Sequence, residues 1–161
     1  MPDRDRANTA TVRFRRGVVT RSPITSWALR LATAAALAIS AAVHASNAAT
    51  YDQVQATLTQ GELFRVEAAL ASAAALLVLI RPRPSSWIVA LLVAASALGA
   101  VLLYRYVDIG SLGPLPDMYE NTWQVPGKLL SAYAEGAAVV LAGLGLLVHR
   151  RPHASARKRG G

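Results

Sequence analysis

Four side chains that could do chemistry stand inside apolar surroundings in this chain: His44, Glu67, Arg105 and Glu135. An imidazole and two carboxylates are groups that exchange protons, bind cations or ligate a metal, and a guanidinium is their natural counter-charge. Each interrupts a run of apolar residues long enough to read as a membrane span. A charge at the centre of a bilayer costs about 3 kcal/mol on insertion scales, so such groups face protein, water or a partner charge. At a rise of about 1.5 Å per residue, Glu67 and Glu135 lie about 6–10 Å below the outer helix ends. His44 sits at a similar depth and Arg105 nearer the surface, so the four fall in one layer.

That layer fits three arrangements. His44 and Arg105 could balance the two acids in a buried salt-bridged knot that fixes helix packing. The same groups could line a polar pocket open to the outside, where Glu67 and Glu135 hold a cation or relay protons and His44 acts as switch or ligand. One imidazole and two carboxylates could also take a hard or borderline metal, but no HxxxH or ExxH spacing accompanies them, and no metal site is expected. Catalytic sets are thin. There is no Ser/His/Asp set in one layer, no phosphate loop and no histidine pair for haem within the bundle, since His149 and His153 lie at the opposite end from His44. No catalytic residue and no cofactor are expected, and the balance leans away from an enzyme.

A second candidate is the outer loop at 109–127. Gly110, Gly113, Pro114 and Pro116 break regular structure, and an acidic, aromatic segment follows with Asp117, Tyr119, Glu120 and Trp123. These four form a candidate interaction surface, because long loops in compact proteins are often functional. The simpler alternative is a loop anchored at the headgroup layer by Tyr119 and Trp123.

The elements that must position these residues are apolar blocks. Of 161 residues, 53% are hydrophobic, and they come in blocks rather than in alternation. Blocks of about 18 or more read as spans. Four occur, at about 27–49, 63–80, 87–106 and 129–148, which predicts an all-α, integral membrane four-helix bundle running up-down-up-down over 25–149. The absence of cysteine excludes disulfides and thiolate chemistry.

The net charge of +8 resembles a nucleic-acid footprint only until its placement is read. Arg4, Arg6, Arg13, Arg15, Arg16 and Arg21 precede the first span; Arg81 and Arg83 join the second to the third; Arg150, Arg151, Arg157, Lys158 and Arg159 follow the fourth. All lie on one side of a four-span protein, while Asp52, Glu62, Asp108, Asp117 and Glu120 gather on the other. The positive-inside rule then puts both termini in the cytoplasm of a bacterial plasma membrane, with 1–24 and 150–161 as basic tails, the first of them disordered. Such tails are expected to meet anionic lipid rather than nucleic acid. Arg15-Arg16 and Ser46-Asn47-Ala48 have some features of a signal peptide, but the apolar block is longer than the usual hydrophobic region, so an uncleaved first helix is expected.

Helical spacing then predicts inward faces. Thr33, Ala36, Ser40 and His44 share one face of the first span; Glu67, Ala71, Ala74 and Ala75 one of the second; Ala94, Ala97 and Ala100 lie on the third; Lys128, Ser131, Glu135, Ala138 and Ala142 share one of the fourth. Small residues let helices approach closely in lipid. Gly136, Gly143 and Gly145 are expected to add close approaches. Arg30 is expected to snorkel to the headgroups, Ser86 to cap the third span, Trp87 to sit at the inner interface, and Glu62 to pair locally with Arg65.

The run His44, Gly61-Glu62-Leu63-Phe64, Tyr104, Gly113-Pro114, Trp123 and Ser131-Ala132-Tyr133-Ala134-Glu135 resembles small, uncharacterised four-span integral membrane proteins of actinobacteria over roughly 44–148. In topology the chain is also similar to DoxX-like proteins, which implies a membrane redox partner as one outcome. From the residues themselves two functions stand: a non-enzymatic accessory or interaction subunit, with a membrane-protein partner, and a small proton-coupled carrier working as a homo-oligomer.

Overall fold

The computed structural model describes residues 23–149. The predicted tails lie outside the described residues, except that 23 and 24 open the first helix. The chain forms four long helices, α1 (Pro23–Asn47), α2 (Gln60–Ile80), α3 (Pro84–Tyr106) and α4 (Lys128–His149), of 25, 21, 23 and 22 residues. At about 1.5 Å per residue each reaches across a hydrocarbon layer of about 30 Å. All four are apolar enough to cross a membrane. A 3₁₀ turn, Thr50–Gln53, sits between α1 and α2. Among the described residues there are no strands, only isolated bridges at Gln55–Thr59 and Leu112–Leu115.

The helices form an up-down-up-down bundle. α1 packs on α2 and α4, and α4 on α3, while the α2–α3 seam is the least packed. Buried positions step by three and four residues: Trp87, Ala90, Ala94 and Ala97 on α3, and Ser131, Glu135, Ala138 and Ala142 on α4. That spacing keeps one seam facing its neighbours along the bundle. The core is mostly alanine, while Leu76, Leu92, Val140 and Leu147 point outward. Lipid tails are as apolar as leucine, so close backbone approach rather than large core side chains holds such helices together.

Helix starts explain where the predicted boundaries shift. Thr59 Oγ1 accepts from Glu62 N at 3.0 Å and the Glu62 carboxylate accepts from Thr59 N at 2.8 Å, so α2 begins at a reciprocal cap rather than at 63. Glu62 is therefore committed to the cap, and Arg65 instead gives Asp52 two hydrogen bonds of 2.7 Å. The expected Glu62–Arg65 pair is not made. Gly61 passes so close to the Ala48 carbonyl that a Cβ there would collide with it. α3 begins at Pro84, whose missing N–H costs nothing in a first turn. Ser86 is thus not the cap; its hydroxyl donates to the Arg81 carbonyl and braces the α2–α3 turn.

Three further expectations are corrected near that turn and along α4. Trp87 is fully buried, not interfacial, and lies against Gly145 and the His149 ring, whose centroid is 5.4 Å away. A Cβ on Gly145 would run into the indole, whereas Gly136 and Gly143 face open space and make no close approach. Arg30 does not snorkel outward. It is 9% exposed, stacks over the Trp27 ring at 3.8 Å and donates from Nε to the Val78 carbonyl at 3.2 Å.

Candidate functional site

The inward faces of α1, α2 and α4 bring His44, Glu67 and Glu135 toward one another at the distal end of the bundle, where α1 finishes and α2 and α4 begin. Thr33, Ala36, Ser40 and His44 are all buried on α1, as are Ala71, Ala74 and Ala75 below Glu67 on α2. On α3, Ala94 and Ala97 are buried but Ala100 is exposed.

A cavity of about 510 Å³ lies at this end, lined by the distal parts of the loosely packed α2 and α3 and closed by residues of α1, α4 and both loops. Its walls are largely apolar, with Val43, Leu63, Phe64, Val101, Leu115 and Met118 among them. His44, Glu67 and Ser131 line it deeper along their helices, while Tyr51, Glu120 and Lys128 line it at the loop end. Phe64 stands between two rings, with centroids 5.1 Å from His44 and 4.9 Å from Tyr51.

The deep polar groups form a short chain. Ser40 Oγ donates to Glu135 Oε1 at 3.0 Å, and His44 Nδ1 lies 2.9 Å from the Ser40 carbonyl. A carbonyl only accepts, so the Nδ1 proton is fixed there and the other ring nitrogen of a neutral imidazole remains free to accept. His44 Nδ1 is 3.9 Å from Glu135 Oε1, at the limit of an ion pair. Glu135 is 1% exposed and its Oε2 has no hydrogen-bond partner; Glu67 Oε1 is likewise shielded and without a partner. Among the described residues, neither acid has an arginine or lysine within ion-pair distance.

Arg105 is not brought to the acids. Its guanidinium lies over Tyr106 at 5.0 Å and Trp123 at 5.6 Å, outside the cavity lining. A knot in which Arg105 neutralises an acid is not formed. Ser40, His44 and Glu135 are adjacent, but not as a nucleophilic set: the serine proton points at the carboxylate, the imidazole holds the serine's own carbonyl, and Ser40 is 1% exposed. No group of three or more His, Asp or Glu side chains has metal-binding geometry among the described residues.

The loop end contrasts with the deep part. Tyr51 Oη donates to Glu120 Oε1 at 3.1 Å, and Lys128 Nζ donates to Glu120 Oε2 at 3.0 Å and to the Glu120 carbonyl at 2.7 Å. Glu120 N in turn donates to the Tyr104 carbonyl at 3.0 Å. Every charge in this cluster is matched. Burial, then the Glu120 charge and hydrogen bond, push the Tyr51 phenol up to about 12, so it stays a donor at physiological pH. On the rim of the first loop, the hydrogen bonds from Arg65 hold the Asp52 carboxyl below its usual range.

The four loop residues singled out from sequence therefore part company. Glu120 turns into the cavity lining, and Trp123 packs on Tyr106 with ring centroids 6.3 Å apart. Asp117 folds back to accept from Tyr119 N at 2.9 Å, leaving only Asp117 and Tyr119 outward. Tyr51, Phe64 and Lys128 belong to the site although sequence alone did not assign them to it. Lys128 shares the α4 face of Glu135, and that shared face was the available signal.

Four membrane-length helices with polar groups held inside define the class: a small multi-pass integral membrane protein. No family model matches the chain, and no curated protein or solved structure is significantly similar to it.

Proposed function

We propose that the protein is a non-enzymatic accessory subunit of the bacterial plasma membrane that binds a small amphiphilic molecule in the cavity between α2 and α3. One observation carries this: the cavity joins a largely apolar wall to the Glu67 carboxyl, which has no arginine or lysine within ion-pair distance among the described residues and one oxygen without a hydrogen-bond partner. A purely structural cluster would pair its buried carboxyl oxygens with donors, as Glu120 does with Tyr51 and Lys128, because an unsatisfied buried polar atom is costly. The arginines before α1, in the α2–α3 turn and after α4 support an orientation with both termini in the cytoplasm, which opens the site to the outer leaflet. Their clustering also supports contact of the basic tails with anionic lipid. Kinship with actinobacterial four-span proteins and with DoxX-like proteins is part of this proposal and rests on motif and topology. No cofactor is invoked.

The test is native mass spectrometry of the protein extracted from its own membranes in mild detergent. The wild type is expected to carry a small molecule, and Ala100→Trp, which fills the cavity from an exposed position on α3, is expected to lose it with folding intact. Protein free of any small-molecule adduct in both cases would overturn the proposal.

A further inference from the structure

We propose, building on the cavity as a binding site, that its ligand is an organic monocation with an apolar body, and that Glu67 is the residue that receives the charge. Glu67 lines the cavity itself, whereas Glu135 accepts from Ser40 and neither of these two is part of the lining. The titratable side chains in and directly below the cavity are His44, Tyr51, Glu67, Tyr104, Glu120, Lys128 and Glu135, and His44 faces Ser40 and Glu135 through Nδ1. Lys128 is spent on Glu120, through the 3.0 Å pair and a second bond to the Glu120 backbone. Glu67 is then the deep lining carboxyl with no cationic side chain within ion-pair distance among the described residues, so an incoming cation would supply its counter-charge.

Three properties of the walls select the cation's class. No metal-binding group of three or more His, Asp or Glu side chains exists among the described residues, so a hard cation would find too few oxygens to replace its water. The rings of Tyr51, Phe64 and Tyr104 line the same space, and aromatic faces attract weakly hydrated organic cations. The volume, about 510 Å³, suits a compact drug-sized molecule. A carboxylate, aromatic faces and aliphatic walls together recognise a quaternary ammonium, a phosphonium or a protonated amine carrying apolar substituents. The charge can belong to a free amphiphile or to the amine headgroup of a membrane lipid.

The experiment uses full-length protein in mild detergent, titrated calorimetrically with tetraphenylphosphonium and with triphenylphosphine oxide, a neutral molecule of similar shape. The phosphonium is expected to bind saturably, and Glu67→Gln is expected to weaken it by about tenfold or more while leaving the neutral probe unchanged. Ala100→Trp is expected to abolish binding of both. Equal binding of the two probes, with no effect of Glu67→Gln, would overturn the cation assignment and leave the cavity itself supported. Binding of neither probe, or binding untouched by Ala100→Trp, would overturn both. Native mass spectra then separate the sources: displacement of a bound phosphatidylethanolamine by the phosphonium assigns a lipid headgroup, and phosphonium binding without such displacement assigns a free cation.

Discussion

At the scale of single residues, the two ends of the cavity differ in whether their carboxyl oxygens have donors. Tyr51, Glu120 and Lys128 satisfy one another, and their position tethers the long loop to the first loop and to the start of α4. The Tyr51 phenol titrates at about 12 when folded, above its ordinary 10.0. Because the folded value is raised, the stability it contributes is fully present below the unfolded value and is lost as pH climbs through the folded one. An ultraviolet titration should show a tyrosine ionising near 12 that disappears in Tyr51→Phe. That variant should lose about 1 kcal/mol, a carboxylate hydrogen bond discounted for its partly exposed setting. A full set of tyrosines titrating together near the ordinary value would show that the Tyr51–Glu120 contact is not made. Glu67 and Glu135 are of the opposite kind, each with a shielded oxygen to which nothing donates.

At the scale of helices, the alanine and glycine positions divide sharply by face. Gly145 lets Trp87 lie flat between α3 and α4, and Gly143, two residues earlier, faces open space. Alanine is favoured over glycine in a helix interior by about 1 kcal/mol, so Gly143→Ala should raise the melting temperature or leave it unchanged. Gly145→Ala should lower it, since overpacking costs about 1–3 kcal/mol and the fully buried indole has no room to yield. Equal shifts in thermal unfolding would contradict the packing of Trp87 against α4. Much of this was legible in sequence. The spans could be read because lipid forces each segment to satisfy its own backbone, which leaves long apolar blocks. Their inward faces could be read because small and polar residues recur at helical spacing. Trp87 was misplaced because an aromatic at a helix start has the same sequence signature in the core as at an interface. Arg30 was misplaced because nothing local says that the Val78 carbonyl lies within its reach.

At the scale of the whole molecule, function depends on how the four helices share their contacts. α1 and α4 are each packed on two neighbours along much of their length, whereas α2 and α3 are joined by the Arg81–Pro82–Arg83 turn and separated by the cavity at the other end. Sequence could place His44, Glu67 and Glu135 in one layer, because depth follows from counting residues along a helix. It could not show the cavity, which exists only where two faces fail to meet, nor that Arg105 turns to Trp123 rather than to the acids. The central claim is that Glu67 serves a ligand and that neither acid holds the bundle together through an ion pair. Thermal unfolding of Glu67→Gln with Glu135→Gln in mild detergent tests it most directly. Glutamine keeps the shape and can still accept from Ser40, while the titratable carboxyl is gone. The melting temperature is expected to equal or exceed that of the wild type. A loss of about 3–5 kcal/mol, the cost of breaking a buried ion pair, would contradict the account and return the acids to a structural role.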